Sequence, residues 1–175
     1  MSSEKVKVNF GCGKDIKKGY LNVDLFKFPG VDKKVNMDKF PYPFKDNSVD
    51  EVYCKSVLQI VKDPGGVTSE FHRILKRGGR LYFDVPHFTS KHCWKDITHR
   101  RGFAFKSFDI FYDNNVYVSG LEREFRKVKI HLEFGKKYAL WNYLIEPIAN
   151  RFPSLYEDTP LRIFPAMRMR VYMIK

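Results

Sequence analysis

The residues best suited to chemistry stand near the start of the chain. Gly11-Cys12-Gly13 follows the strand-like run Val6-Lys7-Val8-Asn9-Phe10, and Asp24 closes a second such run, Tyr20-Leu21-Asn22-Val23-Asp24. A glycine turn lets backbone approach a ligand closely, because no Cβ intervenes and positive φ is free. A carboxylate at the end of the next strand can accept hydrogen bonds from a ribose diol held over that turn. Together the two features point to a nucleoside-type cofactor.

A second group lies further along. His87 follows directly on Pro86 and a strand-like run, Arg80-Leu81-Tyr82-Phe83-Asp84-Val85. Ligands of open α/β sheets bind outside the carboxyl ends of the strands. His87 is therefore expected to face an acceptor and to serve as its base, because a histidine titrates near neutrality. His92, Cys93, Asp96 and His99 are close by, but their spacing matches no common zinc pattern, so no metal is expected. Phe88 and Trp94 are expected to wall the same region.

These residues need a sheet to hold them. Strand-like and helix-like segments alternate, as in a parallel α/β sheet. Strands are expected over 6–10, 20–24, 31–37, 49–54 and 80–85. The spacing of Val67, Phe71, Ile74 and Leu75 predicts a helix over 67–76, stopped by Gly78-Gly79. Residues 87–101 read as a loop or lid and 106–113 as a short helix. A strand is expected over 124–134, a helix over 141–150 and a closing strand over 168–174. The link from Gly13 to Tyr20 is too short for an ordinary crossover helix.

Composition narrows the class. The chain has 175 residues, of which 43% are hydrophobic and 16% aromatic, enough to bury a core. Three scattered cysteines, Cys12, Cys54 and Cys93, form no disulfide framework. Cys12 reads as filling a tight turn, the other two as semi-buried. No apolar run approaches the roughly 20 residues that span a bilayer. Residues 1–5 are polar and lead straight into a strand, so a cytoplasmic protein is expected. The net charge of +12, from 32 Lys and Arg against 20 Asp and Glu, suits acidic partners. It is spread along the chain, which does not favour nucleic acid over a small acidic acceptor.

Several motifs in one order and spacing carry a resemblance. They are Asn9-Phe10-Gly11-Cys12-Gly13, Leu21-Asn22-Val23-Asp24, Asp38 with Pro43-Phe44, Asp46-Asn47-Ser48-Val49-Asp50-Glu51-Val52-Tyr53, and Glu70-Phe71-His72-Arg73-Ile74-Leu75-Lys76-Arg77-Gly78-Gly79. The chain resembles the class I S-adenosylmethionine-dependent methyltransferases, in particular the compact type 11 group. The similarity is strongest over 6–86. The resemblance implies one α/β domain over 1–175, with a Rossmann-like, mostly parallel seven-stranded sheet, an antiparallel C-terminal strand pair and a shortened first crossover. Residues 1–86 would form the cofactor half and 87–175 the lid and acceptor half.

The resemblance also implies roles. Gly11, Cys12 and Gly13 would pass beneath the methionine part of S-adenosyl-L-methionine. Asp24 would take the ribose hydroxyls, Leu25 would lie against the adenine, and Asp38 would accept from its amino group. Lys39 would offer its backbone amide to the ring, and Lys55, Ser56 and Val57 would line the sulfonium side. Asn9 stands where relatives carry an acidic residue and would meet the cofactor ammonium through its amide oxygen. Asp96-Ile97-Thr98-His99-Arg100-Arg101 resembles an Asp-Pro-Thr-His segment of the acceptor side. His99, Arg100 and Arg101 would there meet an acidic group, with Trp94 beside them.

This chain departs from the pattern in lacking the loop's third glycine and in carrying Leu58-Gln59-Ile60 where Leu-Glu-His is common. The reading is a methyltransferase acting on a small-molecule, sugar or lipid-linked acceptor. Two alternatives stay open: a nucleic-acid methyltransferase, and a scaffold that binds the cofactor without turnover. Against the first, neither an Asn-Pro-Pro-Tyr motif nor a Pro-Cys pair is present. A nicotinamide-binding domain is disfavoured, because no Gly-x-x-Gly continues into a long helix.

Overall fold

A computed structural model of the chain describes residues 5–112, 125–136 and 139–175. The expected features at residues 1–4, Asp113 and Glu124 lie outside these. Seven strands form one sheet: β1 (Lys7–Phe10), β2 (Leu21–Asp24), β3 (Lys33–Lys34), β4 (Val49–Lys55), β5 (Leu75–Val85), β6 (Lys127–Phe134) and β7 (Ala166–Ile174). Their order is β3-β2-β1-β4-β5-β7-β6. The first five pair in parallel, and β7 runs antiparallel to both of its neighbours, β5 and β6. This is the expected mixed sheet, and its first crossover, Gly11 to Tyr20, contains no helix.

One face of the sheet carries the main core. Val8, Phe10, Val52, Cys54, Leu81 and Phe83 are essentially inaccessible. Against them packs α1 (Pro64–Ile74) through Val67, Phe71 and Ile74, with the Phe71 ring 4.7 Å from that of Phe10. The helix starts at Asp63, whose side chain accepts from the Gly66 amide, and Pro64 occupies the first turn, where its missing N–H costs nothing.

Several expected boundaries move. The helix stops at Ile74, short of Gly78-Gly79, because the Arg73 and Ile74 carbonyls take the Asn47 and Ser48 amides. Leu75 therefore enters β5 directly, paired with Val49. The third strand shrinks to Lys33–Lys34, since only these residues pair with β2. The loop over 87–101 contains one helical turn, α2 (Lys91–Trp94), and 105–111 is a 3-10 helix. Toward the C-terminus α3 (Asn142–Arg151) and α4 (Pro153–Asp158) lead into β7. Cys54 and Cys93 are fully buried, not semi-buried. Among the described residues no helix is long and apolar enough to cross a membrane.

Candidate active site

The turn after β1 is shaped by a contact. Gly11 sits at φ +62°, and a Cβ there would stand 2.3 Å from Cγ2 of Val57, so only glycine fits. The turn then meets β2: the Gly13 amide donates to Oδ2 of Asp24 at 2.8 Å and the Phe26 amide to Oδ1 at 2.9 Å. Each carboxylate oxygen keeps further acceptor capacity. Beside it opens a cavity of about 340 Å³ bounded by Gly11, Asp24, Leu25, Asp38, Val57 and Ile60. Leu25 and Phe26, 49% and 62% exposed, form an apolar rim. Asp38 is steadied by the Lys62 amide at 2.7 Å.

A second cavity of about 440 Å³ adjoins the first, and Ser56 lines both. Ser56 has φ +57°, a conformation non-glycine residues adopt at a cost, and its amide donates to the Asp84 carbonyl at 2.7 Å. The remaining walls include Gln59, Asp84, His92, His99 and Arg168. Asp84 is buried and accepts from Nη1 of Arg168 at 3.0 Å. Gln59 is buried with Nε2 3.5 Å from Nε2 of His99, while its Oε1 has no partner among the described residues. Nε of Arg168 is likewise buried and unpartnered. Such orphaned groups are costly and require explanation. Burial, and then Lys95, Lys91 and Arg168, push His92 below the usual histidine range. At neutral pH its ring is therefore uncharged and can accept a proton.

The expected site residues divide. Gly11, Asp24, Leu25, Asp38, Ser56 and Val57 surround the first cavity, and Ser56 and His99 the second. Cys12 and Gly13 support the turn from behind, Cys12 buried and donating to the Val23 carbonyl. Asn9 is 2% exposed, its Nδ2 donating to the Asp15 carbonyl and to Oδ1 of Asn22, so it clamps the loop. The Lys39 amide is taken by the Asn36 carbonyl, and the Lys55 ammonium pairs with Asp15 at 2.9 Å.

On the acceptor side one expectation is corrected, that His87 faces the acceptor as its base. His87 is wholly buried, its Nδ1 2.8 Å from Oγ1 of Thr89 and its Nε2 2.9 Å from Oε1 of Glu157. It ties the loop to α4 and lines neither of the two cavities. Trp94 is 69% exposed, its indole N–H on the Phe88 carbonyl. The Arg101 guanidinium donates to the carbonyls of Leu58, Val61 and Lys62, and Arg100 donates to those of Gln59 and Ile60. The Arg101 guanidinium is thereby occupied by the turn after β4, while Arg100 meets that turn through its backbone amide and Nε. Asp84, His92, Lys95 and Arg168 line the second cavity without having been singled out as site residues. The readable signal was an acid inside the apolar run Leu81-Tyr82-Phe83-Asp84-Val85.

Residues 12–83 match the model of a methyltransferase domain family of type 11. Over this stretch the chain is similar to a methyltransferase domain. Solved structures agree on the fold. A methyltransferase of Archaeoglobus fulgidus superposes with TM-score 0.66 at 16% identity, over 99% of this chain and 87% of its own. A possible histamine N-methyltransferase of Thermotoga maritima gives 0.57 at 18%, over 100% and 84%. Phosphoethanolamine N-methyltransferase 2 of Haemonchus contortus, bound to S-adenosyl-L-methionine, gives 0.58 at 14%, and the chain spans 49% of its length. No curated protein matches the chain significantly. The chain thus shares its fold with methyltransferases, among them one that binds S-adenosyl-L-methionine as its cofactor.

The donor set of the first cavity fits that cofactor. It offers a fixed carboxylate for a diol, a second carboxylate at Asp38, and apolar walls for a purine. Two of the buried polar atoms without a partner among the described residues, Oε1 of Gln59 and Nε of Arg168, belong to residues of the other cavity.

Proposed function

We propose that the chain transfers a methyl group to a small polar acceptor held in the cavity of Asp84, His92 and Arg168. A small molecule, a sugar or the head group of a lipid-linked precursor meets this description. The observation that carries the reading is Ser56, which lines both cavities and so sets the cofactor against the acceptor. When bound, the cofactor supplies a sulfonium methyl that is already a strong electrophile. The work left to the protein is alignment and exclusion of water.

In this reading Asp24 holds the ribose hydroxyls, Asp38 the adenine amino group, and Leu25, Val57 and Ile60 the ring faces. Gln59 Oε1 and Asp84 accept from the N–H or O–H of the acceptor, while Lys95 and the free Nε of Arg168 take its anionic or carbonyl oxygen. His92, uncharged at neutral pH, receives the proton that the nucleophile loses. The Gln59-Ile60 departure fits this division. Ile60 adds apolar wall to the cofactor cavity, and Gln59 adds a neutral acceptor to the other.

The test is calorimetric titration with S-adenosylhomocysteine. Micromolar binding is expected, weakened about tenfold to a hundredfold by Asp24→Ala, the loss of hydrogen bonds to a charged group. Absence of binding to the parent protein overturns the reading.

A further inference from the structure

Among the described residues, no helix covers the sheet face opposite α1 where the first crossover lacks one. A row of tyrosines crosses it. Tyr53 on β4 stands beside Tyr82 on β5, and Tyr82 beside Tyr172 on β7. Tyr53 and Tyr82 stack at 4.5 Å, Tyr172 meets Tyr82 edge-on at 4.8 Å, and Tyr20 meets Tyr53 at 6.4 Å. Tyr172 is 46% exposed and the others half-buried. They line a groove of about 460 Å³, with the Lys17 ammonium 4.0 Å from the Tyr53 ring centre.

The groove runs into a basic pocket of about 250 Å³, with which it shares Glu51 and Arg80. Lys5, Lys7, Lys76, Arg77 and Arg80 surround that pocket against only Asp50 and Glu51. Both acids are already engaged: Asp50 pairs with Lys76 at 2.7 Å, and Glu51 accepts from the Tyr20 hydroxyl. Among the described residues no carboxylate forms an ion pair with Lys5, Lys7, Arg77 or Arg80. Neither the groove nor the pocket shares a residue with the cofactor and acceptor cavities.

We infer that this face binds single-stranded nucleic acid, with bases on the tyrosines and phosphates along the basic pocket. A second copy of the chain would bring the same cations together, which is repulsive. A polyanion without planar rings leaves the tyrosine groove unused. A single strand carries both chemistries, and a sheet presenting aromatics among cations is a recurrent way to hold one. The inference is independent of the methyl-transfer reading.

Fluorescence anisotropy with a labelled ten-nucleotide oligouridylate, across a salt series, tests it on the full chain. Saturable binding that weakens with salt is expected. Tyr172→Ala should lower affinity about fivefold to 150-fold, as losing one stacked base does, while Tyr172→Phe should retain it. The pair Lys7→Gln and Arg80→Gln should flatten the logarithmic salt slope by roughly 1.4. S-adenosylhomocysteine binding, measured alongside, should be unchanged in every variant and reports that each is folded. The inference is overturned if the oligonucleotide fails to bind at low salt. It is equally overturned if duplex DNA or polyphosphate binds as well and Tyr172→Ala has no effect, or if only phosphatidylglycerol vesicles bind.

Discussion

The cofactor cleft and the acceptor cavity meet at Ser56 but are built on opposite plans. The cleft is local: a turn, a strand end and the start of the next loop, within residues 11–38, joined by the segment after β4. Its polar groups are satisfied by backbone, as where the Gly13 and Phe26 amides hold Asp24. The cavity is assembled from β5, the loop after it, and β7, with partners as far apart as Asp84 and Arg168. It keeps orphaned atoms on Gln59 and Arg168. The first is held in shape by backbone contacts; the second is joined by side chains from strands distant in sequence. Cofactor binding should therefore be sensitive to backbone shape, and acceptor binding to side-chain chemistry.

The largest effect should come from the backbone. Gly11→Ala places a methyl group against Val57 and forces alanine to φ +62°. Left-handed strain of about 1–2 kcal/mol and overpacking of about 1–3 kcal/mol act together. Denaturant unfolding should show a loss of about 2–5 kcal/mol, and S-adenosylhomocysteine binding should fall with it. A variant that unfolds like the parent would mean the turn is softer than its contacts imply.

Next comes the ion pair of the other cavity. Arg168→Gln leaves the Asp84 carboxylate buried with, among the described residues, the Tyr82 hydroxyl 3.4 Å away as its side-chain partner. Breaking a fully buried pair costs about 3–5 kcal/mol, and Arg168, whose side chain is 32% exposed, should lose less, about 2 kcal/mol. Cofactor affinity should stay within twofold of the parent's, roughly 0.4 kcal/mol. A parallel collapse of cofactor binding would erase the distinction between the two regions.

The same contrast explains what could be read beforehand. The cleft was legible because its chemistry is local: Gly11, Asp24 and Asp38 sit at positions where residue type and spacing together specify a turn and a strand end. The missing first helix followed from the short link between Gly13 and Tyr20. The acceptor side was not legible, because it depends on which side chains turn inward. His87 and Arg101 have reactive types in a suggestive stretch, yet Glu157 and the carbonyls after β4 draw them into structural roles. Arg168 lies 84 residues from Asp84, and only the antiparallel return of β7 joins them. The start of β5 at Leu75 was hidden for a similar reason, since the amides that end α1 belong to the loop before β4.

A smaller effect, of opposite sign, should come from Gln59→Met. The parent buries an amide oxygen without a donor, and a thioether of similar length removes that cost. Stability should rise by up to about 1 kcal/mol or stay level. Binding of any acceptor that donates to Gln59 should weaken. A clear loss of stability would mean that Oε1 is satisfied by water in solution and contributes to the fold.

The smallest effect is the subtlest test of the acceptor cavity. His92 is pushed below the ordinary histidine value of 6.5 by burial first, then by Lys95, Lys91 and Arg168. The sign follows from the charged form being the disfavoured one. The folded protein binds that proton less readily than the unfolded chain, so His92 contributes its full stability above the unfolded pKa. That contribution falls as the pH drops from about 6.5 through the lower folded value. An NMR titration of the His92 ring should give a midpoint below 6.5, and Lys95→Gln should move it upward by removing one of the three cations. Changes in the cofactor cleft, such as Asp24→Ala, should leave it where it is. If Asp24→Ala moves the His92 midpoint as far as Lys95→Gln does, the two regions form one electrostatic unit, and His92 answers to the cofactor as well as to the acceptor.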